Sequence, residues 1–91
     1  MSAVSRTVEV VNKRGLHARA SAKFVTMASG IDAAVEVEKD GNKVCGTSIM
    51  GLMMLGAAMG DSITISASGI GAEQAVEQLS ALVEAKFHED V

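Results

Sequence analysis

His17 stands in a setting that gives an imidazole work to do. The run Asn12-Lys13-Arg14-Gly15-Leu16-His17-Ala18-Arg19-Ala20 closes a β-like segment at Asn12 and allows a sharp reversal at Gly15. An alanine-rich helical pattern opens just after the histidine. The ring therefore falls at the positive end of a helix, where several backbone N–H groups lack an intrahelical partner. Such an end suits phosphate oxygens, and neutral imidazole is a competent nucleophile near physiological pH. The pattern predicts a histidine that takes a phosphoryl group and holds it. The N–H groups of Ala18 and Arg19 would cradle the oxygens, and the Arg19 guanidinium would add a planar, permanently charged donor set. A phosphoryl group on imidazole nitrogen leaves readily, because the ring departs neutral. The protein then has mainly to position it and moderate its charge.

A histidine at a helix start has a blander reading, as a cap or a surface residue. Charge placement weighs against it. Four of the eight basic residues, Lys13, Arg14, Arg19 and Lys23, lie within eleven positions, and no acid falls between Glu9 and Asp32. This bracket sits in a chain of net charge −3. Arg14 and Lys13 read as steering groups for an acidic partner or as ordinary solvated charges. Lys23, one turn further on, reads as solvated. The acidic balance and the presence of only two aromatics, Phe24 and Phe87, argue against nucleic acid as a partner.

Ninety-one residues, 48% apolar and 21% charged, suit one globular domain spanning 1–91. No apolar run reaches the roughly 18 residues that a membrane span needs. Met1 to Arg6 shows no signal-peptide pattern. A lone cysteine, Cys45, rules out an internal disulfide and fits a cytoplasmic location. Its place in a strand marks it as a small core residue.

The elements that must position His17 are well punctuated. Thr7-Val8-Glu9-Val10 alternates like a half-buried strand, and so does Val35-Glu36-Val37-Glu38. A helix runs from His17 to about Ser29, with Ala20, Phe24, Met27 and Ala28 near helical spacing and Gly30 as its breaker. Asp40-Gly41 forms a tight turn into a strand around Lys43-Val44-Cys45. Ser48 caps a short helix, Ile49 to Leu55, which Gly56 ends. Ser62 to Ala67 alternates strictly, Gly69 and Gly71 break it, and an amphipathic helix follows from Ala72 to Phe87. Its stripe is Val76, Leu79, Val83 and Phe87.

The order β-α-β-β-α-β-α, with one buried face per strand, predicts a largely antiparallel sheet under helices, an open-faced two-layer α/β sandwich. Right-handed crossovers would place another strand between the first and second, as in split β-α-β folds.

Gly15-Leu16-His17-Ala18-Arg19 is followed about thirty residues later by Ser48-Ile49-Met50-Gly51-Leu52. With this element order, the chain from about Thr7 to Phe87 closely resembles HPr, the histidine-containing phosphocarrier family of the bacterial phosphoenolpyruvate-dependent phosphotransferase system. The resemblance implies four antiparallel strands under three helices. It implies a carrier, not an enzyme, that is phosphorylated at Nδ1 of His17 by phosphorylated enzyme I. The carrier would pass the group to a histidine of an enzyme IIA protein, with Arg19 as the active-site arginine. The family usually has proline where Ala20 stands, and alanine there would loosen the loop and alter rates. Cys45-Gly46-Thr47 also departs from the commoner residues ahead of the second helix.

Ile49, Met50, Leu52, Met53, Met54 and Leu55 make the second helix apolar on nearly all sides, more than an open sheet can bury. A methionine-rich surface suits several partners. The resemblance places docking to enzyme I and the enzyme IIA proteins here, through Arg14, Ala20, Thr47, Ile49, Met50, Leu52 and Met53. Ser48 reads as a plain cap. The resemblance adds phosphorylation by an HPr kinase, which would put charge beside the docking surface. His88, beside the frayed acidic end Glu89-Asp90-Val91, reads as inert. Two histidines and one cysteine lack metal-ligand spacing, and no nucleotide-binding glycine pattern is complete, so neither metal nor cofactor is expected. A monomeric cytoplasmic phosphocarrier, serving either a sugar-transport or a nitrogen-type pathway, is the leading reading. A regulatory module whose His17 and Ser48 phosphorylation reports metabolic status, as in nitrogen-type relatives, is the alternative.

Overall fold

The alternating segments pair into one sheet. In a computed structural model, which describes residues 3–89, β1 is Val4–Glu9, β2 Ala34–Lys39, β3 Asn42–Cys45 and β4 Ser62–Ser68. The strand order is β1-β4-β2-β3, and every neighbouring pair is antiparallel. β4 lies between β1 and β2, the split arrangement expected from the sequence. Residues paired directly across an antiparallel ladder share a face. Val8 stands opposite Ile63, Val35 opposite Ala67, and Val37 between Ile65 and Val44, which defines the inner face. The outer face carries Thr7 opposite Thr64, their hydroxyls 2.9 Å apart, and Ser66 between Ser5 and Glu36.

Parity also corrects the reading of Cys45. It stands opposite Glu36 on the outer face of an edge strand, and its thiol is exposed rather than part of the core. Val44, one position earlier, is the residue that turns inward against the core.

Three helices cover the inner face: α1 Ala18–Ser29, α2 Ile49–Met54 and α3 Ala72–Glu84. α3 packs on β1, β4 and β2, and α1 packs against both α2 and α3. α1 buries Ala20, Ser21, Phe24 and Ala28, while α3 buries Ala75, Val76, Leu79, Leu82 and Val83. Fully burying a large apolar side chain contributes about 1.5–3 kcal/mol, so these stripes hold the helices to the sheet. Among the described residues no helix is long and apolar enough to cross a membrane.

α3 does not run on to Phe87 as its stripe suggests. It ends at Glu84, and Lys86, Phe87 and His88 form a left-handed turn with φ of 58°, 55° and 59°. Phe87 still reaches the core and is fully buried, but by reversal of the chain. Asp90 and Val91, expected at the frayed end, lie outside the described residues.

Candidate functional site

The His17 loop is tied down at both ends before the helix begins. Val10 continues the β1 edge, donating its N–H to Asp61 O at 2.8 Å and accepting from Gly60 N at 2.8 Å. Leu16 is buried, donates its N–H to Ala57 O at 3.0 Å, and receives a bond on its carbonyl from Ser21 Oγ at 3.2 Å. Gly15 sits at φ +62° hard against the 57–58 loop: a Cβ there would run into the carbonyl oxygen of Ala57 and approach Ala58 Cα to 2.9 Å. Only glycine combines that dihedral with that approach.

Thus constrained, His17 becomes the N-cap of α1, with extended backbone at φ −75°, ψ −179°. Its carbonyl accepts the first helical bond, from Ser21 N at 2.9 Å. Its ring Nδ1 accepts from the backbone N–H of Arg19 at 3.3 Å. A nitrogen that accepts carries the lone pair, so the proton is assigned to Nε2. Nδ1, beside the first turn of the helix, is the nitrogen that keeps its lone pair. The ring is 17% exposed, enough to be reached from solvent. Ala18, Arg19, Lys13 and Arg14 are all exposed around it, so the basic bracket faces outward.

Nε2 is engaged by a residue that the sequence reading passed over. Its proton is donated to Oε2 of Glu89, in a bond formed across the chain from its last described residue. Oε1 of the same carboxylate accepts from Nδ2 of Asn12 at 3.1 Å. Asn12 is fully buried and also donates to Gly15 O at 2.9 Å, so one amide braces both the loop and the carboxylate. Lys23, read as solvated, is half-buried and donates from Nζ to Phe87 O at 2.6 Å. Burial of Glu89 opposes its ionisation. The hydrogen bonds from His17 and Asn12, with the positive charge of Lys23, outweigh that and hold the carboxyl below the ordinary range. Glu89 is therefore anchored, which corrects the expectation of a frayed end. Its 72-residue separation from His17 hides the pair from any local motif. His88 is exposed.

The second motif forms a surface beside the first. Ser48 caps α2, its Oγ accepting from Gly51 N at 2.9 Å. Ile49 and Met53 are exposed, and Met50 and Met54 more so, at 71% and 78%. Thr47 is exposed and lies 3.1 Å from the thiol of Cys45. Two of the expected docking residues are corrected: Ala20 and Leu52 are fully buried, because each lies on the stripe that holds its helix to the core. The contact between α1 and α2 sets the exposed methionines alongside the helix that His17 begins. Among the described residues no group of three His, Cys, Asp or Glu side chains gathers as a metal site would.

A helix-capping imidazole whose Nδ1 keeps its lone pair, set on an open-faced sandwich beside an apolar helix, is an arrangement that suits a protein carrying a group between partners. Comparison with known proteins agrees. The family model described as PTS HPr component phosphorylation site matches residues 4–85, and the chain belongs to this HPr phosphocarrier family. It is 40% identical over 89 residues to phosphocarrier protein NPr of Shewanella violacea, covering 98% of each chain. It is 44% identical over 81 residues to the HPr-like protein Crh of Bacillus subtilis, covering 89% of this chain and 95% of that one. The crystal structure of HPr-C-His from Thermoanaerobacter tengcongensis superposes with a TM-score of 0.90 at 45% identity, covering 100% of both chains. Proteins of this family are carriers in the phosphotransferase relay, not enzymes, and nitrogen-type NPr proteins belong among them.

Proposed function

We propose that the chain accepts a phosphoryl group on Nδ1 of His17 from phosphorylated enzyme I, with phosphoenolpyruvate as the ultimate source, and passes it to a histidine of an enzyme IIA protein. The observation that carries this reading is the placement of Nδ1: it accepts the Arg19 N–H at the opening of α1 while Nε2 holds the proton. In the accepting step the Nδ1 lone pair forms the N–P bond as the donor's bond to phosphorus breaks and takes its electron pair away. In the donating step the acceptor imidazole attacks, the P–Nδ1 bond breaks, and the pair returns to His17. The backbone amides of Ala18 and Arg19 and the Arg19 guanidinium serve the phosphoryl oxygens. Residues 1–91 act as one carrier domain, a cytoplasmic monomer. Arg14, Thr47, Ile49, Met50 and Met53 dock enzyme I and the enzyme IIA proteins. Phosphorylation of Ser48 by an HPr kinase would add roughly two negative charges beside that surface and weaken docking.

A regulatory role is the second reading, in which the phosphorylation state of His17 or Ser48 signals metabolic status. The likeness to Crh, described as the Bacillus subtilis catabolite repression HPr, favours it. The test mixes the protein with enzyme I and labelled phosphoenolpyruvate. Label is expected to enter, to be lost in acid, to survive alkali and to vanish in His17→Ala. In Arg19→Ala it should enter about tenfold more slowly with the fold intact. Acid-stable label would move the acceptor to a hydroxyl and end the reading. Adding an enzyme IIA protein separates the two roles: a carrier empties into it, and a signalling module keeps its label.

A further inference from the structure

A carboxylate stands against the far nitrogen of His17, and the end of the chain is shaped to hold it there. Three consecutive residues, Lys86, Phe87 and His88, adopt the left-handed backbone that side chains avoid. Full burial of the Phe87 ring and the bond from Lys23 to the Phe87 carbonyl keep that turn closed. What the turn delivers is Glu89. Its side chain is 8% exposed, with one oxygen on Asn12 and the other on His17 Nε2. Of the charged and titratable groups on the elements that meet here, the His17 loop carries Lys13 and Arg14, α1 carries Arg19 and Lys23, and the turn itself carries Lys86 and His88. The His17 ring bonds the carboxylate directly, and the charge of Lys23 favours its ionised form.

We infer that Glu89 is a positioning residue for phosphoryl transfer, holding His17 with its proton on Nε2 and its lone pair on Nδ1 and balancing the charge that the ring acquires as it bonds phosphorus. This rests on the reading of His17 as the acceptor. When neutral imidazole attacks through Nδ1, the electron pair of Nδ1 becomes the N–P bond and the ring becomes a phosphorylated imidazolium, its positive charge shared with Nε2–H. Glu89 meets that charge with an anion already in place, so no solvent has to reorganise. When the group moves on, the P–Nδ1 bond breaks, the pair returns to Nδ1, and the ring is neutral again. The Nε2 proton stays where it was throughout. The carboxylate sits on the nitrogen that does not react, which keeps its negative charge away from the incoming phosphoryl oxygens. A hydrogen bond to an ionised partner is roughly twice as strong as a neutral one, so a glutamine at this position would keep the contact and lose most of the effect.

The test uses potassium phosphoramidate, which donates its phosphoryl group to histidine and releases ammonia, so partner docking plays no part. The full chain, Glu89→Gln and Glu89→Ala are phosphorylated in parallel and followed by phosphorus NMR, with ring nitrogen spectra identifying the labelled atom. In the wild type, label is expected on Nδ1 and the Nε2–H proton is expected far downfield. In Glu89→Gln the initial rate should fall about tenfold and the Nε2–H resonance should move upfield, with the backbone spectrum otherwise preserved. Glu89→Ala should be at least as slow. Label on Nδ1 at an equal or higher rate in Glu89→Gln would overturn the role of Glu89 while leaving His17 as the acceptor. Label on Nε2 or on a hydroxyl in the wild type would overturn the acceptor reading, and this inference with it.

Discussion

An imidazole offers two nitrogens to an electrophile, and the one left free is decided by what engages the other. In this chain the choice is made by a backbone N–H on one side and a carboxylate on the other. The same pair makes stability depend on acidity. Glu89 has a folded-state value below the ordinary glutamate value of 4.5, so its contribution is fully present above that value and is lost as the pH falls through the lower folded one. The thermal midpoint of the wild type is therefore expected to exceed that of Glu89→Gln above the ordinary glutamate value, and the two curves should converge as the pH falls below it. Parallel curves across that range would show that the carboxylate contributes nothing through its charge.

Two short segments carry the site at the level of elements, and each hinges on one residue. In the His17 loop it is Gly15, whose missing Cβ lets the loop lie on the 57–58 backbone. Gly15→Ala should destabilise the protein by about 2 kcal/mol and slow phosphorylation of His17, read from urea midpoints and label uptake. Gly30→Ala is the control, because a Cβ there would make only an ordinary contact at 3.6 Å and φ is negative. At α2 the residue is Ser48. Ser48→Ala removes the oxygen that accepts the Gly51 N–H and should cost about 1 kcal/mol. Ser48→Asp keeps an acceptor at the cap, so its urea midpoint should stay near that of the wild type while its affinity for enzyme I falls. Equal affinity would leave Ser48 as a cap alone.

The whole molecule is acidic, and yet the end that would meet a partner is basic. A net charge of −3 coexists with an exposed cluster of Lys13, Arg14 and Arg19 around His17. Beside it lies the exposed apolar surface of Ile49, Met50, Met53 and Met54. Charge at a rim governs how fast partners meet, and apolar contact governs how long they stay. Raising ionic strength from about 0.02 to 0.3 M should slow association with enzyme I about tenfold and change dissociation little, as stopped-flow traces would report. Met50→Asp should act the opposite way, chiefly on dissociation.

Much of this was legible along the chain because it is local. Period-two alternation marks β2 and β4, the spacing of Ala20, Phe24 and Ala28 marks α1, and Gly15 to Arg19 marks the candidate site, since each reports on residues within a turn or two of one another. Handedness and element order also call for another strand between β1 and β2, and the fold shows that it is β4. The tertiary structure decided what depends on distant parts of the chain meeting. It set the parity that turned Cys45 outward, the core that took in Ala20 and Leu52, and the reversal at Lys86 to His88. Through that reversal it also set the pairing of Glu89 with His17. A helical stripe can say that Phe87 will be buried, but not that the backbone will turn left-handed to bury it, because the reward for that turn lies in contacts with Asn12, His17 and Lys23 more than sixty residues away.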